Sequence, residues 1–205
     1  MTRTNRRAEC TRAAVREAFV ALFFERGYDE ISTTDVARRA GVGRSTFYEH
    51  FRGKEDLLLK TIHRPFEPLA TLVDDKIDKT ELRLALEHFW NHRRNSQVTR
   101  RESSRRAMAR VLTGVLARRL RSRGESEARI TLLSVVIAEL LLGIIAAWLS
   151  GAIVISTTAL TALLAGSVKA LLASRVEDER VSNPSEMAAQ SGRGPDSGRH
   201  RPPGV

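Results

Sequence analysis

A cluster of side chains between residues 44 and 50 has the chemistry to hold a polyanion. Arg44, Ser45, Thr46, Tyr48 and His50 are short or flat hydrogen-bond donors, set on one outward face of a short helical stretch. Such donors suit phosphate oxygens and the edges of bases. Arginine can bond a guanine edge twice, so Arg44 is the candidate for base contact, with Ser45, Thr46, Tyr48 and His50 on phosphates. Other chemistry finds less support. His88 and His92 stand at i, i+4, a spacing that can bind a metal, but no further His or Cys stands at ligand spacing beside them. No nucleophile–base set, carboxylate pair or metal cluster is legible. The expectation is no enzyme, no catalytic residue, no metal and no cofactor.

The elements that must position these donors lie in residues 31–51, ISTTDVARRAGVGRSTFYEHF. Thr33 and Thr34 can cap a helix, and Asp35 in its first turn suits the positive helix N-terminus. This helix is expected to run to about Ala40, where Gly41 breaks it. After Val42 in the tight turn, a second helix begins at Arg44, Ser45 or Thr46 and ends near Phe51. Close crossing requires small or apolar inward positions: Val36, Ala37, Ala40, Val42, Phe47 and Phe51 meet that need. The pattern is a helix-turn-helix, a unit also found in helical proteins that never touch DNA.

The wider stretch resembles the N-terminal domain of the tetracycline-repressor (TetR) family. The segments that carry the resemblance are FFERGY at 23–28, TTDVARRAGV at 33–42, GRSTFYEHF at 43–51 and KEDL at 54–57, within roughly residues 10 to 60. Gly43 stands where the family usually has serine, and Ser45 where it usually has glycine. The first departure removes a hydroxyl that could cap the second helix. The resemblance implies DNA contacts from Thr33, Thr34, Gly43, Arg44, Ser45, Thr46, Tyr48 and His50, with a phosphate contact from Lys54 at the start of the next helix. It also implies a helical body that binds a small effector and dimerises. Phe66, Leu69, Phe89, Trp90, Met108 and Trp148 are the pocket candidates, and each would serve equally well as plain core.

Composition agrees with a regulator of this kind. The chain has 205 residues, 42% hydrophobic and 28% charged, with a net charge of +10. It is expected to be a soluble globular protein, and a polyanionic partner is favoured. Charge alone does not locate the site: residues 1–62 hold 12 basic against 9 acidic residues, and residues 63–129 hold 16 against 9. A single cysteine, Cys10, excludes an internal disulfide and fits a cytoplasmic location. No apolar stretch follows the basic N-terminus, so no secretory signal is expected.

The rest of the chain falls into helical segments. Residues 1–9 form a flexible basic arm in which Arg3, Arg6 and Arg7 could reach a minor groove, or else a plain solvated start. Helix one spans about Cys10 to Arg26, with Val15, Ala18, Phe19, Leu22 and Phe23 on one face. Pro65 and Pro68 predict a stop or kink near Arg64, with helix resuming to about Ile77, either as a hinge or as a static corner. Residues 80–95 carry an apolar face of Leu82, Ala85, Leu86, Phe89 and Trp90. From 93 to 123 arginine dominates, with only Glu102 opposing it locally. This predicts a solvated basic face, or one that steers the protein toward DNA or attracts an acidic effector.

Residues 130–149, ITLLSVVIAELLLGIIAAWL, carry one charge, Glu139, and at about 20 residues are long enough to span a bilayer. A membrane-tethered regulator is therefore the alternative. Against it, Glu139 at the midpoint is costly in lipid. The segment is also sided, with Glu139, Gly143, Ala146, Ala147 and Ser150 on one stripe and Leu140, Leu141, Ile144, Ile145 and Trp148 on the other. The helix at about 157–175 repeats this, with Ala159, Ala162, Gly166, Ala170 and Ala173 beside Leu160, Leu164, Val168 and Leu171. Helices at about 126–150 and 157–175 from two chains would make a four-helix bundle.

The expected architecture is all-α: an arm at 1–9, a three-helix DNA-binding domain at 10–53, a helical effector-binding and dimerisation domain at 54–176, and a disordered tail at 177–205. The expected function is sequence-specific binding of double-stranded DNA at a palindromic operator as a homodimer, repressing transcription until a small molecule releases it.

Overall fold

The computed structural model describes residues 3–91 and 102–174. They form eight α-helices: α1 (Arg3–Arg26), α2 (Thr33–Arg39), α3 (Arg44–His50), α4 (Lys54–Ala70), α5 (Lys79–Asn91), α6 (Glu102–Ser122), α7 (Glu127–Leu149) and α8 (Thr157–Ala173). A single 3-10 turn, Thr71–Val73, follows α4. The fold class is all-α, as the periodicity predicts. His92, Arg93, Arg94, Arg100, Arg101 and the expected tail at 177–205 lie outside the described residues.

α1 begins at Arg3, seven residues before the expected start, so residues 3–9, expected as a flexible arm, are helical. Arg6 and Arg7 stand exposed on its first turns. The polar run has good intrinsic helix formers and nothing that breaks a helix, and so continues the α1 register. The opposite end behaves as expected: Gly27 takes a φ of 90° and closes the helix. Val15, Ala18, Phe19, Leu22 and Phe23 are buried, and α1 packs on α2 and α4.

The prolines do not break α4. The helix runs unbroken from Lys54 to Ala70 through Pro65 and Pro68. Each proline removes one backbone donor, a real loss. The gain that outweighs it is burial: Phe66, Pro68, Leu69 and Ala70 all pack inside. Buried side chains of this size are worth about 1.5–3 kcal/mol each. Thr71 Oγ1 also donates to the Pro68 carbonyl at 2.7 Å, holding the end of the helix. One rod therefore carries Leu57 and Leu58 beneath the helix-turn-helix and Phe66 and Leu69 in the body. The expected corner lies beyond it, at Thr71–Val73.

α6 and α7 form the most extensive helix pair of the body. The α6 stripe Val111, Leu112, Val115, Leu116 and Leu120 is buried, as its spacing predicts. α7 buries Ile130, Leu133, Ile137, Ala138, Leu141, Ile145 and Trp148. It is long and apolar enough to cross a membrane, with a mean hydropathy of 2.5 over its most apolar window. Glu139 at its middle is bound by Arg105 of α6. A helix that buries one face in its own domain and pairs its only central charge is accounted for as a core helix, so the membrane-spanning alternative is not favoured.

From Arg105 to Arg123 the arginine-rich stretch is not a free basic face. Arg119 binds Glu67 at 2.7 Å and Asp74 at 2.5 Å, and Arg123 binds Asp75 at 2.7 Å. Arg110 reaches Glu55 at 3.6 Å, and Arg121 reaches Glu127 at 2.9 Å. The partners come from other elements, so local sequence could not show them. These pairs staple α6 to α4, to the turn after it and to α7. At their exposure each contributes little individually.

Candidate nucleic-acid interface and body cavity

The helix-turn-helix is built by local chemistry. The residue that caps α2 is Ser32, not Thr33 or Thr34, which are its first two helical residues. Ser32 Oγ accepts from the Asp35 backbone N–H at 3.1 Å, and Asp35 accepts from the Ser32 N–H at 3.1 Å. This reciprocal capping box satisfies two orphan donors. The Ser32 hydrogen bonds, aided by Arg38 and Arg26, hold the Asp35 carboxyl below its ordinary value. Backbone conformation decides which residue caps: Ser32 is extended, with φ −103° and ψ 158°, as a cap requires, whereas Thr33 and Thr34 are already helical.

At the other end, Gly41 takes a φ of 67°. Its N–H donates to Arg38 O at 3.2 Å and the Val42 N–H to Ala37 O at 3.0 Å. These two bonds are the Schellman closure that a left-handed glycine permits. Val36, Ala37, Phe47 and Phe51 are buried, and Ala40 and Val42 pack partly against them. Arg39 clamps Glu25 of α1 through two hydrogen bonds, at 3.0 and 2.8 Å.

α3 runs Arg44–His50 with Gly43 as its cap residue and no side-chain cap. Buried Phe47 roots it. Its outward face exposes Arg44, Ser45 and Tyr48, with Thr46 and His50 half-exposed. Tyr48 OH and Thr33 Oγ1 are hydrogen-bonded at 3.1 Å, which joins the start of α2 to the middle of α3. That bond, and then the Arg44 guanidinium, hold the Tyr48 phenol below its ordinary value. Thr33, Thr34, Gly43, Arg44, Ser45, Thr46, Tyr48 and His50 thus belong to two adjoining helix starts and one exposed helix face. Lys54 is placed differently. Its ammonium donates to the Tyr28 carbonyl at 3.0 Å and sits 4.4 Å from the Tyr28 ring centre. It braces the joint to the body, and only its remaining donors face outward.

The body holds a cavity of about 1000 Å³. Of the pocket candidates, Phe66, Leu69, Phe89 and Met108 line it, joined by Leu142, Ile145 and Leu149 of α7. Trp90 and Trp148 do not. Their rings stack on each other at 4.7 Å, and Trp148 Nε1 donates to the Ile155 carbonyl at 3.1 Å. A buried indole needs such an acceptor, and here the loop before α8 supplies it. One wall was not foreseen: Arg16, Val20 and Phe24 of α1 also face the cavity. Their i, i+4, i+8 spacing is the signal that could have found them. His88 lines the cavity too, and His92, four residues on, lies outside the described residues.

The comparisons with known proteins agree with this geometry. Residues 15–61 match the family model for bacterial regulatory proteins of the tetR family. The HTH-type transcriptional regulator TtgR of Pseudomonas putida is 36% identical over 81 residues, covering 37% of this chain and 39% of that protein. The match thus spans well under half of that relative's length. Over the whole fold, a TetR-family regulator from Streptomyces coelicolor superposes with a TM-score of 0.53 at 24% identity, covering 81% of this chain and 96% of that one. A TetR transcriptional regulator from Streptococcus agalactiae gives a TM-score of 0.52 at 24% identity, covering 80% and 97%. Residues 15–61 thus carry a DNA-binding domain of the tetR family, and the chain as a whole shares its fold with these two regulators.

Proposed function

We propose that this protein is a cytoplasmic transcriptional repressor, binding a palindromic operator as a homodimer and released by a small molecule in the body cavity. The observation that carries the reading is α3, rooted by Phe47 and presenting Arg44, Ser45 and Tyr48 outward. One such helix reads only a few base pairs. Two on a two-fold axis read successive major grooves, about 34–36 Å apart. Arg44 contacts a base edge; Thr33, Thr34, Ser45, Thr46, Tyr48, His50 and Lys54 hold phosphates and fix register.

The dimer is supported by what α7 and α8 leave uncovered. Leu132, Val135 and Val136 on α7 and Leu163 on α8 are exposed. Beside them Ala159, Ala162, Gly166 and Ala170 are exposed small residues that permit close helix approach. A second copy would cover both stripes. The effector acts by preferring the arrangement that does not fit DNA, and shifts the balance by that preference alone.

The test is a binding selection. Purified full-length protein is mixed with sheared DNA of its source genome at near-physiological salt, and the retained DNA is sequenced. Enrichment of an inverted repeat is expected. Uniform, salt-sensitive retention of all sequences would overturn the specific reading, leaving only charge attraction.

A further inference from the structure

We propose that the body cavity takes an amphipathic anion: an apolar body carrying one acidic head group, received by Arg16. This inference rests on the reading of that cavity as the effector site. The walls are apolar over most of their area, with Val20 and Phe24 of α1 facing Phe66, Phe89 and Ile145 of the body. They provide for a hydrophobic body of drug-like size.

The charges on the lining are not equivalent. Arg105 is engaged by Glu139, and Glu25 by Arg39. Glu17 is exposed and keeps its water. Arg16 differs from all of them. Its Nε is buried and makes no hydrogen bond. Among the described residues it is the one buried side-chain nitrogen or oxygen without a hydrogen-bond partner, an unfavourable arrangement for a donor on a permanent charge. An anion arriving with an apolar body would bring an acceptor to the Arg16 guanidinium on the cavity wall. The fork geometry favours a planar or branched oxyanion such as a carboxylate or sulfonate, which can take two parallel bonds. A neutral ligand would leave the donor unmet, and a cation would be repelled.

The experiment uses the full chain with matched probes below their micellar concentrations. Dodecanoate, dodecanol and dodecyltrimethylammonium supply one tail with three heads; 2-naphthoate and 2-naphthylmethanol supply an aromatic pair. Affinity is read by calorimetry and by the shift in melting temperature. The acid of at least one series should bind about tenfold or more tightly than its alcohol, and the cation weakest. Arg16→Gln should erase the preference for the acid while leaving the alcohol's affinity in place, and Arg16→Lys should restore part of it. Ala21→Trp, which fills the cavity from the α1 side, should abolish binding of all probes. Equal affinity for acid and alcohol, or an unchanged preference in Arg16→Gln, would overturn the anionic-head inference while leaving the cavity a ligand site. No binding by any probe, or binding that survives Ala21→Trp, would remove the cavity as the effector site and this inference with it.

Discussion

The backbone N–H of Tyr28 donates to Oγ of Ser104 at 3.1 Å, across 76 residues of sequence. Both residues are buried, and the bond joins the end of the first helix region to the start of α6. Tyr28 is a node in other respects. Its hydroxyl donates to Glu55, its carbonyl accepts from Lys54, and Arg110 lies 5.7 Å from its ring centre. Burial, and then the Glu55 carboxylate, push its phenol well up, so it stays neutral and donating. The DNA-binding helices are therefore fastened to the body by a few named polar contacts.

Ser104→Ala should cost more than its size suggests. It leaves the Tyr28 N–H buried without an acceptor, a penalty of about 1–3 kcal/mol. Urea denaturation should show that loss with an unchanged slope.

Ser32→Ala should remove the capping box and destabilise the helix-turn-helix by about 1 kcal/mol. The same device makes stability fall in acid. The Asp35 and Glu25 carboxyls are both held below their ordinary values of 3.8 and 4.5. A lowered folded pKa means the contribution is complete above the ordinary value and lost as pH falls through the folded one. Melting temperature should therefore drop below about pH 4, and Asp35→Asn should flatten that drop.

Gly43→Ser should stabilise the protein. Gly43 has φ −68° and ψ 156°, which serine adopts freely, and a Cβ there meets only Ser45 Oγ at 3.7 Å and Thr46 Oγ1 at 3.9 Å. The hydroxyl would supply the missing cap of α3, worth about a few tenths of a kcal/mol. Thermal unfolding of the two proteins side by side measures it.

Arg44→Ala and Tyr48→Phe should separate reading from holding. On the selected operator, Arg44→Ala should relax preference at one base pair in each half-site, by about 1–3 kcal/mol. Tyr48→Phe should weaken all sequences alike, since it loses the Thr33 bond and a phosphate donor. If Arg44→Ala lowers affinity equally for every sequence, its assignment to a base edge is wrong.

Val135→Glu with Leu163→Glu should give a monomer in sedimentation, with helicity kept and operator binding lost. Both positions are exposed in a single chain, at 48% and 44%, so the charges disturb no core. They act only if a partner covers the face.

The parts legible in the sequence were those set by neighbours along the chain. Gly41 and Phe51 bound their helices because left-handed closure and aromatic anchoring are local matters. The paired stripes of α7 and α8 were legible for the same reason, since periodicity alone sorts the faces. What escaped needed distant partners. Pro65 and Pro68 argue locally for a break, and only the burial of Phe66 and Leu69 overrules them. The arginines of α6 looked unopposed because Glu67, Asp74 and Asp75 stand far upstream. Trp90 and Trp148 carry pocket chemistry by type, yet each ring is spent on the other. Arg16 lies on the second face of α1, which only its spacing with Val20 and Phe24 marks, and nothing nearby in sequence shows what that face meets.

The α1 wall of the cavity has a consequence for engineering. Regulators of this build invite exchange of parts, with a foreign DNA-reading head grafted onto a sensing body to rewire a circuit. Here the graft would replace Arg16, Val20 and Phe24 along with the head, and with them one wall of the proposed effector cavity. A faithful transplant must carry the cavity face of α1 across and exchange little more than the surface of α3.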